Sequence, residues 1–147
     1  MTNDMPLTAT ETRDLRAFAG TMIPASERHG VPGADDETIL ADIVNSLGRD
    51  RDDIGLALGR LSILAGGDFA DLPADRRLVV ANQLRAEGGG PLAALTRAIL
   101  LCYYRDDRVM RSLGQEPRPP FPLGHAVEQG DWSLLDPVRK RAPFYRR

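Results

Sequence analysis

From Gln115 to Arg147 the chain places a proline or a glycine every few residues, at Pro117, Pro119, Pro120, Pro122, Gly124, Gly130, Pro137 and Pro143. Proline removes a backbone donor and fixes φ, and glycine loosens what lies between, so long regular structure is excluded there. The fold must therefore be built by residues 1–114, with residues 115–147 as an extended Pro-rich C-terminal arm. That arm nevertheless carries the only tryptophan of the chain and two of its four phenylalanines. Burying Phe121, Leu123, Trp132, Leu134, Leu135, Phe144 and Tyr145 would stabilise by about 1.5 to 3 kcal/mol each. Ordering the arm's backbone costs about 1 to 2 kcal/mol per residue. The anchors alone lose that comparison, so the arm needs a larger surface that also takes its hydrogen bonds. Docking on a partner protein supplies such a surface; the alternative is an arm folded back over the chain's own helices or simply mobile in solution.

Residues 1–114 read as all-α. Thr8 and Glu11 have the spacing of a capping box, and Leu15, Phe18, Ala19 and Met22 follow at helical intervals up to the stop at Pro24. A turn-rich loop, punctuated by Gly30, Pro32 and Gly33, leads to Asp35 or Asp36 as cap of a second helix through Ile39, Leu40, Ile43, Val44 and Leu47. Asp50 is placed to cap a third, with Ile54, Ala57, Leu58, Leu61 and Leu64 on one face and Gly66-Gly67 at its end. Pro73 suits the first turn of a fourth, carried by Leu78, Ala81 and Leu84 and closed by Gly88 to Gly90. The fifth, Leu92 to Tyr104, is apolar nearly all round and belongs at the centre. Arg105 to Gly114 adds a short sixth. The expectation is an irregular bundle of five helices plus a short sixth, with no strand.

Charge narrows the partners. The net charge is −2 at pH 7, which argues against bulk nucleic-acid affinity and leaves a partner protein. The arm holds Arg118, Arg139, Lys140, Arg141, Arg146 and Arg147 against four acids, leaving 13 basic and 17 acidic residues in the first 114. A run such as Val138-Arg-Lys-Arg can contact phosphate, which keeps a small nucleic-acid or regulatory binding module as the alternative. Interleaved with Pro137, Pro143 and Phe144 it reads better as a rim of ion pairs around hydrophobic anchors, with Arg139, Arg141 and Arg146 as its members.

The residues offer little chemistry. Cys102 is the only cysteine, so neither an internal disulfide nor a multi-cysteine zinc site can form within one chain. His29 and His125 have no metal-ligand spacing to another residue. The glycine runs at Gly66-Gly67 and Gly88 to Gly90 follow no strand and match no phosphate-binding pattern, so they read as helix ends. Asp35-Asp36, Asp52-Asp53 and Asp106-Asp107 all sit near helix starts, where acids favour the dipole. Ser26 and His29 could be imagined as nucleophile and base, but nothing supplies an orienting acid or an oxyanion hole. No cofactor, metal or catalytic residue is expected in this chain. It has no apolar run long enough to insert in a membrane and no export signal at its start, which predicts a soluble cytoplasmic protein.

Phe18 to Asp36, FAGTMIPASERHGVPGADD, resembles the helix-end and loop signature of the gluconate 2-dehydrogenase subunit 3 family. In that signature a helix finishes in an Ile-Pro step, here Ile23-Pro24, and a Pro-Gly-Ala follows, here Pro32-Gly33-Ala34. Leu101-Cys-Tyr-Tyr-Arg-Asp, followed by Leu113-Gly114 and then Pro122 and Gly124, is similar to the family's tyrosine-bearing last helix and its exit. The resemblance covers Leu15 to Gly124. It implies a non-catalytic accessory subunit that binds, stabilises and helps mature a large flavoprotein oxidoreductase subunit of the glucose-methanol-choline type. The FAD, the catalytic histidine and the sugar or alcohol substrate would belong to that partner, in a hetero-oligomer. Family members commonly carry a twin-arginine signal, which this sequence lacks, so a cytoplasmic complex is expected, with periplasmic co-export as the alternative. The arm from Trp132 onward goes beyond the shared pattern.

The residues expected to contact the partner are therefore Ile23, Pro24 and Pro32 at the corner between two helices, together with Tyr104, Phe121 and Pro122. From the arm come Trp132, Leu134, Leu135, Arg139, Arg141, Phe144 and Tyr145. Tyr103 and Tyr104 are adjacent and so project differently: one can fill the core while the other offers its hydroxyl at the surface.

Overall fold

The computed structural model describes residues 6–142, and the chain divides into two units, Met1–Pro117 and Arg118–Arg147. Among the described residues there is no strand, only a single antiparallel bridge between Ser26 and Val31. The protein is all-α.

In the first unit, α1 (Ala9–Met22) opens with the predicted capping box. The Glu11 amide donates to Thr8 Oγ1 at 3.1 Å, and the Thr8 amide donates back to Glu11 Oε2 at 2.7 Å. Its stripe of Leu15, Phe18 and Ala19 is buried. Asp14 lies on the same face, one turn before Phe18, and is buried too. Its carboxylate accepts the Ala70 amide at 2.8 Å, which fastens α1 to the 3₁₀ turn Phe69–Asp71. Phe69 completes the joint, with its ring centroid 6.2 Å from that of Phe18.

Helix α2 (Glu37–Asn45) starts at Asp36, whose Oδ1 accepts the Thr38 and Ile39 amides. It ends sooner than its apolar pattern suggests. Ser46 closes it, and the buried Leu47 leads into a 3₁₀ turn, Gly48–Asp50. Helix α3 (Arg51–Ala65) buries Ile54, Ala57, Leu58 and Leu61 and stops at Gly66, whose φ of 73° is open to glycine at little strain. Asp50 precedes α3 but does not cap it; its carboxylate instead takes Arg97 of the fifth helix at 2.8 Å.

Helix α4 (Ala74–Glu87) follows Pro73, which stands just before the first turn rather than within it. Its buried face is Val80 and Leu84, whereas Leu78, expected inside, is 54% exposed. Helix α5 (Gly90–Arg105) buries seven residues, among them Leu95, Ile99 and Tyr103. It packs on α3, α2 and α6 (Asp107–Ser112), while α1 packs on α3 and α4. It is central, as expected, but not enclosed: Leu100, Leu101 and Tyr104 form an exposed strip along it.

The second unit departs from a fully extended arm. Residues 118–125 close on themselves, with the Gly124 amide donating to the Pro120 carbonyl and His125 Nε2 3.1 Å from the Arg118 carbonyl oxygen. Further on, Trp132–Leu135 form a 3₁₀ turn that runs into a one-turn helix, α7 (Asp136–Arg139). Asp131 starts it by accepting from the Ser133 amide and hydroxyl. Pro137 falls in the first turn of α7, where its missing N–H has no intrahelical acceptor to lose. Two helical turns thus form around a proline placed where a helix tolerates it.

Candidate functional site

The corner between α1 and α2 is held from three directions. The Ile23 amide completes α1 through Ala19, and its carbonyl oxygen accepts the Ala34 amide at 2.9 Å. Ser26 and Val31 exchange backbone hydrogen bonds at 3.0 and 3.1 Å, which pinches off the tip at residues 27–30. The Pro32 carbonyl oxygen accepts the Tyr103 hydroxyl at 3.2 Å. Pro24 is exposed, but Ile23 and Pro32 are half-buried and Gly33 is buried. The corner is rigid, and less of it faces outward than the proline spacing suggested.

The two tyrosines divide as their adjacency requires. Tyr103 is 5% exposed, and burial pushes its hydroxyl above the ordinary phenol value, so it remains a donor. Tyr104 is 53% exposed and meets Tyr103 edge to face, with ring centroids 5.2 Å apart.

The arm's candidates lie in the second unit. Phe121 and Pro122 stand exposed on the 118–125 turn, and Trp132, Leu134 and Leu135 are exposed on the 3₁₀ turn. Arg139 pairs with Asp136 of its own helix at 3.5 Å, and Arg141 is exposed. Phe144 and Tyr145 lie outside the described residues. Among the candidates, then, Ile23 and Pro32 share the corner, Trp132, Leu134 and Leu135 share one helical turn, and Phe121 and Pro122 share the non-helical turn at 118–125.

The geometry assigns structural work to most residues that could have carried chemistry. Ser26 Oγ accepts the backbone amide of His29 at 3.4 Å, which is a turn contact and not the activation of a hydroxyl by an imidazole. Asp36 and Asp106 cap α2 and α6, and Arg108 bridges them, at 2.7 Å to Asp36 and 3.0 Å to Asp106. Hydrogen bonding from Arg108 holds both carboxyls below the ordinary aspartate value. Cys102 is buried on α5, and burial first, then the Asp42 charge, pushes its thiol up, away from the thiolate a nucleophile needs. Gly66 closes α3, and the run Gly88 to Gly90 closes α4 and opens α5. Among the described residues no group of histidine, cysteine and carboxylate side chains could hold a metal ion, and no helix is long and apolar enough to cross a membrane.

No family model matches the chain, and no curated protein or solved structure does so either. Sequence reading passed over the concavity between α1 and α4, which Arg16 and Arg77 both line from distant positions in the chain.

Proposed function

We propose that this chain is a non-catalytic small subunit that binds and stabilises a large FAD-dependent oxidoreductase of the glucose-methanol-choline type, acting on a sugar or alcohol, and assists its maturation. The observation that carries the docking part is the exposure of Phe121, Trp132 and Leu134, at 85%, 60% and 74%, within one short segment. Large apolar side chains gathered on a surface favour burial against another protein. The class of partner rests on the resemblance of residues 18–36 and 101–124 to the subunit 3 family. The same resemblance assigns the FAD to the partner. Ile23, Pro24, Pro32 and Tyr104 would add a second contact, Arg139 and Arg141 would pair with acids at its rim, and the complex would reside in the cytoplasm or cross the membrane by co-export.

Native purification of the tagged chain from its source tests this. The expected result is co-purification of a large yellow subunit that oxidises an alcohol or sugar with an artificial acceptor, and loss of that subunit when residues 132–147 are deleted while helical circular dichroism persists. A colourless monomer in the native extract would overturn the reading. So would binding to DNA or RNA with a steep dependence on salt.

A further inference from the structure

Between α1 and the start of α4 lies an open concavity of about 650 Å³, within the size range of small-molecule sites. Its floor is made of small residues, Ala17 and Gly20 from α1 with Ala70 and Ala74 facing them. Three arginines line it, Arg13, Arg16 and Arg77, against the single carboxylate of Asp35.

These arginines are not equivalent. Arg13 is committed to Asp68 and Asp71. Arg16 donates its Nε–H to the Asp35 carbonyl oxygen at 3.1 Å and makes no ion pair among the described residues. Arg77 makes none either, and its Nε is buried without an acceptor. Arginines that bridge helices elsewhere in this unit, such as Arg51, Arg60, Arg97, Arg105 and Arg108, each face a carboxylate. Arg16 and Arg77 thus bring two guanidiniums without an ion pair to one concavity, and an anion is the group that would balance them.

The backbone adds to the same polarity. Ala74 is the first residue of α4, and Pro73 before it offers no side chain to cap the helix, so the first-turn amides and the positive end of the dipole stand at the groove. Asp75, in that turn, does not line it.

We infer that this groove binds a small oxyanion carrying two or more negative charges, a phosphate ester or a polycarboxylate, between the Arg16 and Arg77 guanidiniums and the opening turn of α4. Two planar guanidinium forks from different helices ask for two sets of acceptor oxygens, which one monovalent carboxylate cannot fill. The Asp35 carboxylate repels any anion and so weakens binding, and it is the arginine charges that make attraction grow with the charge of the ligand. Arginine stays protonated throughout the working pH range, so affinity follows the ionisation of the ligand and falls with ionic strength.

Calorimetric titration of the full chain with pyrophosphate and, separately, with citrate at low salt tests the site and separates its two ligand classes. One saturable site is expected for at least one of them. Affinity should fall tenfold or more in Arg16→Met and in Arg77→Met, and stay unchanged in Arg49→Met, an exposed arginine elsewhere. Should Arg77→Met fail to fold, Arg16→Met together with amide shifts at Ala17, Gly20 and Ala74 on adding ligand carries the same test. No saturable binding of either anion, or equal binding in wild type and the Arg16 variant, overturns the assignment. Failure to bind either anion, combined with loss of a co-purifying subunit in Arg16→Met, would reassign the groove to an acidic side chain of that subunit. The titration uses no partner, so its outcome is separate from that of the flavoprotein reading.

Discussion

The Tyr103 hydroxyl donates to the Pro32 carbonyl oxygen at 3.2 Å, joining α5 to a loop 71 positions earlier in the chain. Tyr103→Phe keeps the buried ring and removes only this bond. The Pro32 carbonyl is half-buried, so water can partly replace the donor, and the expected loss is about 1 kcal/mol. Urea denaturation should show an earlier midpoint at unchanged slope. An unmoved midpoint would mean that the bond contributes nothing to holding the corner.

Arg108 joins the caps of α2 and α6, and its removal should make stability less dependent on acid. Asp36 and Asp106 have folded pKa values below the ordinary 3.8, through hydrogen bonds from Arg108. A lowered folded pKa contributes stability that is present above the unfolded value and lost as pH falls through the folded one. Wild type should therefore lose this contribution below pH ~4. Arg108→Met should be less stable by about 1 kcal/mol at neutral pH, a modest figure because the guanidinium is partly solvated. The two unfolding curves should converge as the pH is lowered toward ~2. A difference that persists at acid pH would place the effect in packing of the arginine stem.

Gly33→Ala should be among the more damaging small substitutions in the corner. A Cβ at this buried glycine would lie 2.9 Å from the Ala25 amide nitrogen and collide with Asp35 Oδ1. The Asp35 side chain can swing away, but the Ala25 backbone is held by α1 and the Ser26–Val31 bridge. Overpacking of this kind costs about 1 to 3 kcal/mol. Thermal unfolding followed at the helical band would register it as a fall of several degrees, and an unchanged midpoint would show that the loop relaxes freely.

Where local chemistry decides, the fold could be read from the residues. Thr8 with Glu11, Ile23-Pro24 and Gly66 bound their helices as expected, because a cap or a breaker acts within one turn. The end of α2 could not be read that way: Leu47 is buried whether it continues a helix or enters a 3₁₀ turn, so hydrophobic spacing is silent on the difference. On α4, Leu78, Val79 and Val80 are consecutive, and three apolar residues in a row do not say which one faces inward. Asp50 was placed as a cap by its position, yet Arg97 claims it from 47 residues away, a partner no local rule can supply. Asp14 did leave a trace, as a charged residue on the apolar stripe of α1. Arg16 and Arg77 left none, since what sets them apart is the concavity they line together, visible only after folding. In the arm, proline spacing excluded long helices but could not exclude the two turns from Trp132 to Arg139.

Trp132 is the only tryptophan in the chain and 60% exposed, so it reports on its own covering. In the isolated chain Trp132→Ser should change unfolding stability by less than about 0.5 kcal/mol, because an exposed ring has little burial to lose. Emission from the wild-type chain should be that of a solvated indole, and should move to shorter wavelength when the flavoprotein subunit is added. If the ring is an anchor of that interface, the same substitution should weaken association tenfold or more, equivalent to about 1.4 kcal/mol. The stability and binding measurements pull in opposite directions for the two accounts of the arm. A ring that seats on this chain's own helices in solution would give blue-shifted emission before any partner is present, together with a loss of about 2 kcal/mol or more on substitution. Either result alone would remove Trp132 from the docking surface.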